Sequence, residues 1–408
     1  MVSSIGHRVV FQGGRVFDGT GAAPAEADVT VADGRIVDIG RGLDGDTAVD
    51  LSGKCLLPGL FDCHTHVAFT TIDLMSRLQT PFSYRFFEAA HNLRSTLQLG
   101  ITSIRDAGGA DLGIKQAVAD GLVPGPRMQI SIRMLSQTGG HGDSWMASGV
   151  AAEPWSVTYP GSPDALVDGP DEMRKKVREL IRCGADVLKV ATSGGVLSPR
   201  DNPRHGHFRD EELEVLVAEA AAAGLGVMAH AQAAEGIKAA VRTGIRSIEH
   251  GIFLDDEAIA MMLEHGTYLV PTLIAPEGVL DAAEAGAAIP TASLQKAREV
   301  IDIHRESFRR AVAAGVKVAM GTDCPVTPHG QNLRELAAMQ RGGMTPAAVL
   351  VAATKTAAEL LGVDADRGTV QPGQRADLVV VDGDPFAFDS LAQRVSRVYM
   401  DGRPVVAA

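Results

Sequence analysis

His64 and His66 stand two residues apart at the end of an apolar run, Leu57–His64. In an extended strand alternate side chains share a face, so both imidazoles project to one side. Two more of the twelve histidines, His230 and His250, end short apolar runs of their own. Asp323 follows another run in Met320-Gly321-Thr322-Asp323, and Lys189 lies inside a fifth, Val187-Leu188-Lys189-Val190, where a lysine is out of place. Each has a plain structural reading alone: a buried hydrogen-bonded imidazole, a turn aspartate, a lysine reaching for the strand end. Taken together, imidazoles and a carboxylate at the ends of several strands are a ligand set for zinc, manganese or iron.

Lys189 sharpens that reading. A free ammonium repels divalent cations and cannot ligate them. Deprotonated in a dry site, it can react with CO2 to give a carbamate, an anionic group able to bridge two metals. A bridged pair lowers the pKa of a shared water and polarises a carbonyl oxygen. Asp323 beside that water is the candidate base, returning the proton to a leaving amine. His141, in the Gly-rich stretch Thr138-Gly139-Gly140-His141-Gly142-Asp143, is the candidate donor to a scissile carbonyl or a substrate carboxylate.

Strands that end at one place must carry these groups. Short apolar runs at Leu57–His64, Thr102–Asp106, Met128–Ile132, Val187–Ala191, Gly226–His230, Ser247–Glu249, Tyr268–Pro271 and Lys317–Gly321 alternate with helix-like segments. The helical segments are Phe87–Leu99, Leu112–Asp120, Asp171–Cys183, Asp210–Ala223, Gly236–Arg242, Asp256–His265 and Gln295–Ala314. Several begin at Asp and most end in Gly, as helix caps require. Eight such alternations predict an α/β chain folded as a (β/α)8 TIM barrel, whose site lies at the C-terminal ends of its strands. An open doubly wound sheet would normally carry a phosphate-loop fingerprint after its first strand, and none is present. The long connections Met134–Pro170 and Thr272–Leu294 leave that same face and read as lids or substrate walls. Residues 8–56, and again the end of the chain after a further helix at Thr345–Leu361, read as short strands between turns. The runs are Arg8–Phe11, Ala27–Val31, Arg35–Ile39 and Ala48–Leu51, then Leu378–Val381, Val398–Met400 and Pro404–Val406. The predicted organisation is a small β-sandwich-like domain built from both termini, residues 1–56 and 369–408, around a barrel at 57–368.

Pro58-Gly59-Leu60-Phe61-Asp62-Cys63-His64-Thr65-His66, the lysine of the fourth strand, His230, His250 and Gly321-Thr322-Asp323 resemble the amidohydrolase superfamily across essentially the whole chain. The resemblance implies one metal on His64, His66 and Asp323, a second on His230 and His250, and carboxylated Lys189 between them. The segments around His141, Ser193-Gly194-Gly195 and Ile248-Glu249-His250-Gly251 resemble the branch of prolidase-type dipeptidases, arginine/lysine carboxypeptidase-like enzymes and imidazolonepropionase-related hydrolases. That branch also holds ochratoxin amidases and phenylurea hydrolases. The resemblance thus implies two divalent ions, zinc first, and cleavage of a peptide-like amide in a dipeptide or N-acyl amino acid. Aryl or xenobiotic amides, ureas and carbamates form the alternative. Deaminases of the superfamily carry a glutamate three residues past the fifth-strand histidine; here that residue is Ala233. A ligand-free scaffold is disfavoured because all six ligand positions are filled.

Gln232, on the face of His230, is a candidate pocket residue, where some relatives that bind a carboxylate place an aromatic or a histidine. Arg204 is a candidate anion contact, within a stretch that also holds Arg200, Arg209, His205 and His207 and whose default reading is a solvated loop. A net charge of −12 argues against a nucleic-acid partner. No apolar stretch is long enough to span a membrane, and Met1–Gly6 has no signal-peptide core. Four cysteines (Cys55, Cys63, Cys183, Cys324) without a CxxC pair fit a reducing cytoplasm. A small-molecule substrate and a homo-oligomer are expected.

Overall fold

The computed structural model describes residues 7–149, 151 and 157–405. Met1–Gly6, Val406 and part of the Met134–Pro170 connection lie outside the described residues.

Strands from both ends of the chain share one sheet. Lys54–Pro58 pairs antiparallel with Leu378–Asp382, which pairs with Val395–Met400. Arg15–Val16, Ala25–Glu26 and Arg403–Pro404 complete six strands. A four-stranded sheet of Arg8–Gln12, Asp28–Ala32, Arg35–Gly40 and Thr47–Asp50 packs on it. Phe11, Val29, Val31 and Ile36 of the smaller sheet share a buried cluster with Val16, Leu56, Leu378 and Val380 of the larger. Interdigitated inner faces of this kind are what hold a sandwich together. On the same two strands the alternate residues Cys55, Leu57, Val379 and Val381 point the other way, into the main core. The six-stranded sheet is therefore covered on both faces, which is why these strands read as unbroken apolar runs instead of alternating ones.

The main body alternates parallel strands with helices. Leu60–Thr65, Ile101–Asp106 and Arg127–Ile130 form one sheet. Met134–Leu135, Val187–Ala191, Gly226–Ala231, Ser247–His250 and Tyr268–Val270 form another. The helices between them bury one stripe each, such as Met173, Val177 and Leu180 of Pro170–Arg182. Asp111 and Asp255 cap their helices by accepting backbone N–H groups. Gly266 and Gly315 end theirs in the left-handed conformation.

Three of the expected strands differ. The first splits in two: Lys54–Pro58 joins the terminal sheet and Leu60–Thr65 begins the parallel one. Pro58 lacks an N–H, and a Cβ at Gly59 would sit 2.1 Å from Thr102 Oγ1, so only glycine allows the switch between sheets. The third breaks after Ile130 because Ile132 adopts a left-handed φ of 67°; Met134–Leu135 then pairs onward with the fourth. The eighth, at Lys317–Gly321, is not a continuous strand. It is held by single parallel bridges, Leu269 with Val318 and Thr65 with Cys324. Its backbone still bonds on both sides, Leu269 N–H to Lys317 O at 2.8 Å and Cys63 N–H to Met320 O at 2.8 Å. Helices Leu74–Gln79, Ala275–Glu284 and Arg334–Arg341 were not expected from periodicity. The segment Thr345–Leu361 forms two helices, Pro346–Ala352 and Lys355–Leu361. No described helix is long and apolar enough to cross a membrane.

Candidate functional site

His64 and His66 emerge side by side from the first parallel strand, and each is oriented through Nδ1. His64 is buried, and its Nδ1 lies 2.7 Å from Glu249 Oε2. His66 Nδ1 donates to Gly108 O at 2.8 Å. A ring whose Nδ1 carries the proton presents Nε2 as a lone-pair donor. Both Nε2 atoms converge on Asp323 Oδ1, at 3.3 Å from His64 and 3.1 Å from His66. His250 follows the same pattern, its Nδ1 lying 2.7 Å from Thr272 Oγ1. Donor atoms of His64, His250 and Asp323 all lie within 4.8 Å of one another.

Two of these residues hold unusual backbone. His250 and Asp323 have φ of 73° and 62°, a region that costs a non-glycine residue of order 1–3 kcal/mol and persists only where surroundings enforce it. At His250 the enforcement is visible: His304 Nε2 lies 2.9 Å from its carbonyl oxygen. At Asp323 the backbone N–H donates to His64 O at 2.8 Å.

Lys189 is buried with its Nζ 3.5 Å from His64 Nε2. Burial pushes its pKa down to about 8, against the pull of the Glu249 and Asp323 carboxylates. A neutral amine, the form that reacts with CO2, is thus within reach near neutral pH. Burial also drives His230 and His250 well below the usual imidazole value, keeping them neutral. Burial raises Asp323, but His64 and His66 outweigh it and leave the carboxyl well below its ordinary range. His230 stands slightly apart. Its ring centroid is 4.7 Å from that of His250, while its Nε2 faces Gly194 O at 3.1 Å.

His141 stacks on His230, with centroids 4.0 Å apart and planes at 16°. Its Nδ1 lies 2.6 Å from Ser198 Oγ and 3.4 Å from Asp201 Oδ2, which leaves Nε2 for the cavity. Ser198 also donates to Asp201. Burial raises the Asp201 carboxyl, but His141, Ser198 and Lys296 bring it down to about 2. Lys296, from the helix Thr291–Ala314, donates to the carbonyls of Gly195, Ser198 and Asp201 at 3.0, 2.6 and 2.6 Å. A Cβ at Gly195 would meet the His141 ring at 2.2 Å, so this loop can close on the imidazole only as glycine.

All of these groups except Gly194, Gly195, Glu249 and Lys296 border one cavity of about 550 Å³, a volume suited to a dipeptide-sized ligand. Its outer wall is apolar, with Ile72, Leu74, Met146, Leu197, Val279 and Ile289. Gln232 is buried in the wall with its Oε1 unpartnered. Arg204 is exposed, stacks on Phe253 at 4.3 Å and lies outside the lining; Arg200, over Trp145 at 4.5 Å, is the arginine of that loop that borders the cavity. His205 and His207 also stay outside it. Cys63 and Cys324 are buried, and burial raises both thiols, so neither is a nucleophile.

Sequence reasoning missed the groups that hold this set in place. Glu249 accepts from Arg105 at 2.9 Å and from Ser247 Oγ at 2.6 Å. Burial raises its carboxyl, but Arg105 and His64 prevail and hold it at about 2. A charged residue amid apolar neighbours, the signal that marked Lys189, was equally present at Glu249 and Arg105.

The amidohydrolase family description matches residues 55–405. The ochratoxinase of Aspergillus niger is 36% identical over 343 residues, covering 81% of this chain and 71% of that protein. A solved prolidase complexed with N-methylphosphonate-L-proline is 36% identical with a TM-score of 0.89, over 98% of this chain and 100% of that one. A Xaa-Pro dipeptidase structure with bound methionine is 30% identical with a TM-score of 0.87, over 98% and 100% of the two chains.

Proposed function

The chain belongs to the amidohydrolase family and is a metal-dependent hydrolase of amide carbon–nitrogen bonds; from that premise we propose that it cleaves an N-acyl amino acid or dipeptide at a two-zinc centre bridged by carboxylated Lys189. The observation that carries this reading is Lys189 itself, buried beside His64 Nε2 and, among the described residues, without a carboxylate within ion-pair distance. An ammonium is ill placed there, whereas a carbamate would complete the donor set. In this reading the parallel strands close into a (β/α)8 barrel, a closure supported by residues 317–324 bonding to the strands on both sides. The units are 1–56 with 369–408, and 57–368. Four free thiols support a reducing, cytoplasmic setting.

The residues present fit a metal pair. Donor atoms of His64, His250 and Asp323 lie within 4.8 Å of one another, and burial keeps His230 and His250 neutral. His64, His66 and Asp323 would hold one ion, His230 and His250 the other. Bound there, the ions supply Lewis acidity and a water of lowered pKa. Asp323, ionised and held by two imidazoles, takes the proton from the attacking water and delivers it to the departing amine nitrogen. His141, its Nδ1 held by Ser198 and Asp201, presents Nε2 to the carbonyl oxygen, and in its doubly protonated form donates there as charge develops. The apolar wall excludes water and seats a side chain of the substrate.

The apolar wall and the likeness to ochratoxinase favour a second reading, an aryl or xenobiotic amide. Turnover of matched dipeptides, N-acyl amino acids and aryl amides by zinc- and bicarbonate-loaded protein separates the two. Cleavage of aryl amides alone would replace the first reading with the second.

A further inference from the structure

Arg133 follows the left-handed Ile132, where the third strand breaks, and its side chain borders the cavity beside Met134. It is only 9% exposed. One amino group donates to Val157 O at 2.5 Å, and Nε has no hydrogen-bond partner. Among the described residues no carboxylate lies within ion-pair distance of it. A buried charge is normally paired, because removing it from water uncompensated is costly.

The neighbours make the omission sharper. Arg85 is also buried, but its guanidinium rests on the faces of Phe69, Phe82 and Tyr159 at 5.1, 5.5 and 5.6 Å and donates to Gly109 O. It is compensated and still adds positive potential at Arg133. Burial first, and Arg85 second, lower the Arg133 pKa to about 10, so the group stays protonated without an anion. Each acid in the cavity wall is committed elsewhere. Asp143 accepts from Gly139 and Trp145 N–H, Asp164 is half-exposed and pairs with Lys176, Asp201 serves His141, and Asp323 serves His64 and His66.

We propose that Arg133 is the recognition site for a carboxylate on the substrate. An arginine fork matches a carboxylate bidentately, and a desolvated guanidinium with free donors gains most from such a partner. The inference rests on the amide-hydrolase reading and narrows it: the substrate carries a free carboxylate near its scissile amide, and neutral amides are poor substrates.

A binding comparison on the zinc-loaded protein tests this independently of turnover. The probes are N-benzyl-L-leucine and its carboxamide, neither of which is acylated on the amine nitrogen and which differ in the carboxyl group alone; the carboxamide is recovered intact after each measurement. Wild type binds the acid about 30-fold more tightly than the carboxamide, the scale of one charge-assisted contact. In Arg133→Met that ratio falls to near one while the Kd of the carboxamide is unchanged, and Arg133→Lys keeps a few-fold preference. Should the Met variant not fold, Arg133→Gln gives the same reading. A wild-type ratio near one, or a folded Met or Gln variant with the wild-type ratio, overturns the assignment. Absence of hydrolysis of any N-acyl amino acid by wild type would instead remove the amide-substrate reading, and the binding ratio would still stand.

Discussion

Glu249 Oε2 lies 2.7 Å from His64 Nδ1 while Oε1 lies 2.9 Å from Arg105. One buried carboxylate thus fixes the tautomer of a candidate ligand and neutralises an interior cation. Arg105 also donates to Cys63 O at 2.7 Å and Ser247 Oγ at 3.1 Å, so the unit ties the first, second and sixth strands together.

Glu249→Gln should weaken zinc binding by about 10–100-fold, as loss of an orienting partner does. It should also destabilise the metal-free fold by about 3–5 kcal/mol, because Arg105 is left as an unpaired buried charge. The carboxyl is held at about 2 when folded against 4.5 otherwise. Its stabilisation is therefore full above pH 4.5 and lost as pH falls towards 2. Urea denaturation of the metal-free protein from pH 3 to 6 should show a flatter acid limb in the variant; an unchanged limb would exclude this role.

Lys189→Ala should abolish turnover and release one to two metal ions, with partial rescue by propionate. Asp323→Asn should retain metal better than activity, with kcat lower by about 10²–10⁴-fold, the range of a general acid–base contribution. Metal analysis beside steady-state kinetics reads both. Wild-type turnover in the alanine variant would remove the bridge, and unaltered kcat in the asparagine variant would remove the base.

Gly195→Ala should drive the His141 ring from its seat, since the new methyl would sit 2.2 Å from it. Lys296→Met should loosen the same loop by orphaning three carbonyls. Both should lower kcat by about 10–10³-fold, the scale of one misplaced donor to a developing oxyanion, with metal content unchanged. Equal loss of metal and activity would mean that His141 acts only as packing on His230.

Glu335 lies fully buried, its two oxygens accepting the N–H groups of Leu273 and Ile274 at 2.8 and 3.0 Å. Burial pushes its carboxyl up to about 8. Between pH 4.5 and 8 the folded protein holds a proton that the unfolded chain has lost, so stability should decline as pH rises through that window. Glu335→Gln should remove that slope while losing about 1–2 kcal/mol, because an amide nitrogen cannot accept the second N–H. Thermal unfolding from pH 5 to 9 measures both. A slope that survives the substitution would assign it to another group.

The candidate ligand set was legible because strand ends give polar residues a fixed address. His64, Lys189, His230 and His250 each interrupt or terminate an apolar run, and parallel strands bring such ends together. What was not legible depends on approach between distant elements. His304 sits on a helix whose pattern gives no hint that its imidazole meets the carbonyl of His250. Arg204 and Arg200 lie in a loop without periodicity, so nothing in their order says which faces the cavity. The run Leu57–His64 read as one strand because a sheet buried on both faces erases the alternation that would have marked the change of sheet at Gly59.

The sheet that joins the two ends of the chain has a consequence in time. Leu57 pairs with Val379 and Leu56 with Val380, so the strand Lys54–Pro58 has one of its two partners at the far end of synthesis. At ordinary elongation rates the ribosome delivers that partner roughly 15 to 60 seconds later. For that interval Cys55, Leu56 and Leu57 have only Arg15–Val16 to pair with on one edge and present an open apolar edge on the other, a window in which the nascent chain is vulnerable to aggregation and open to chaperones.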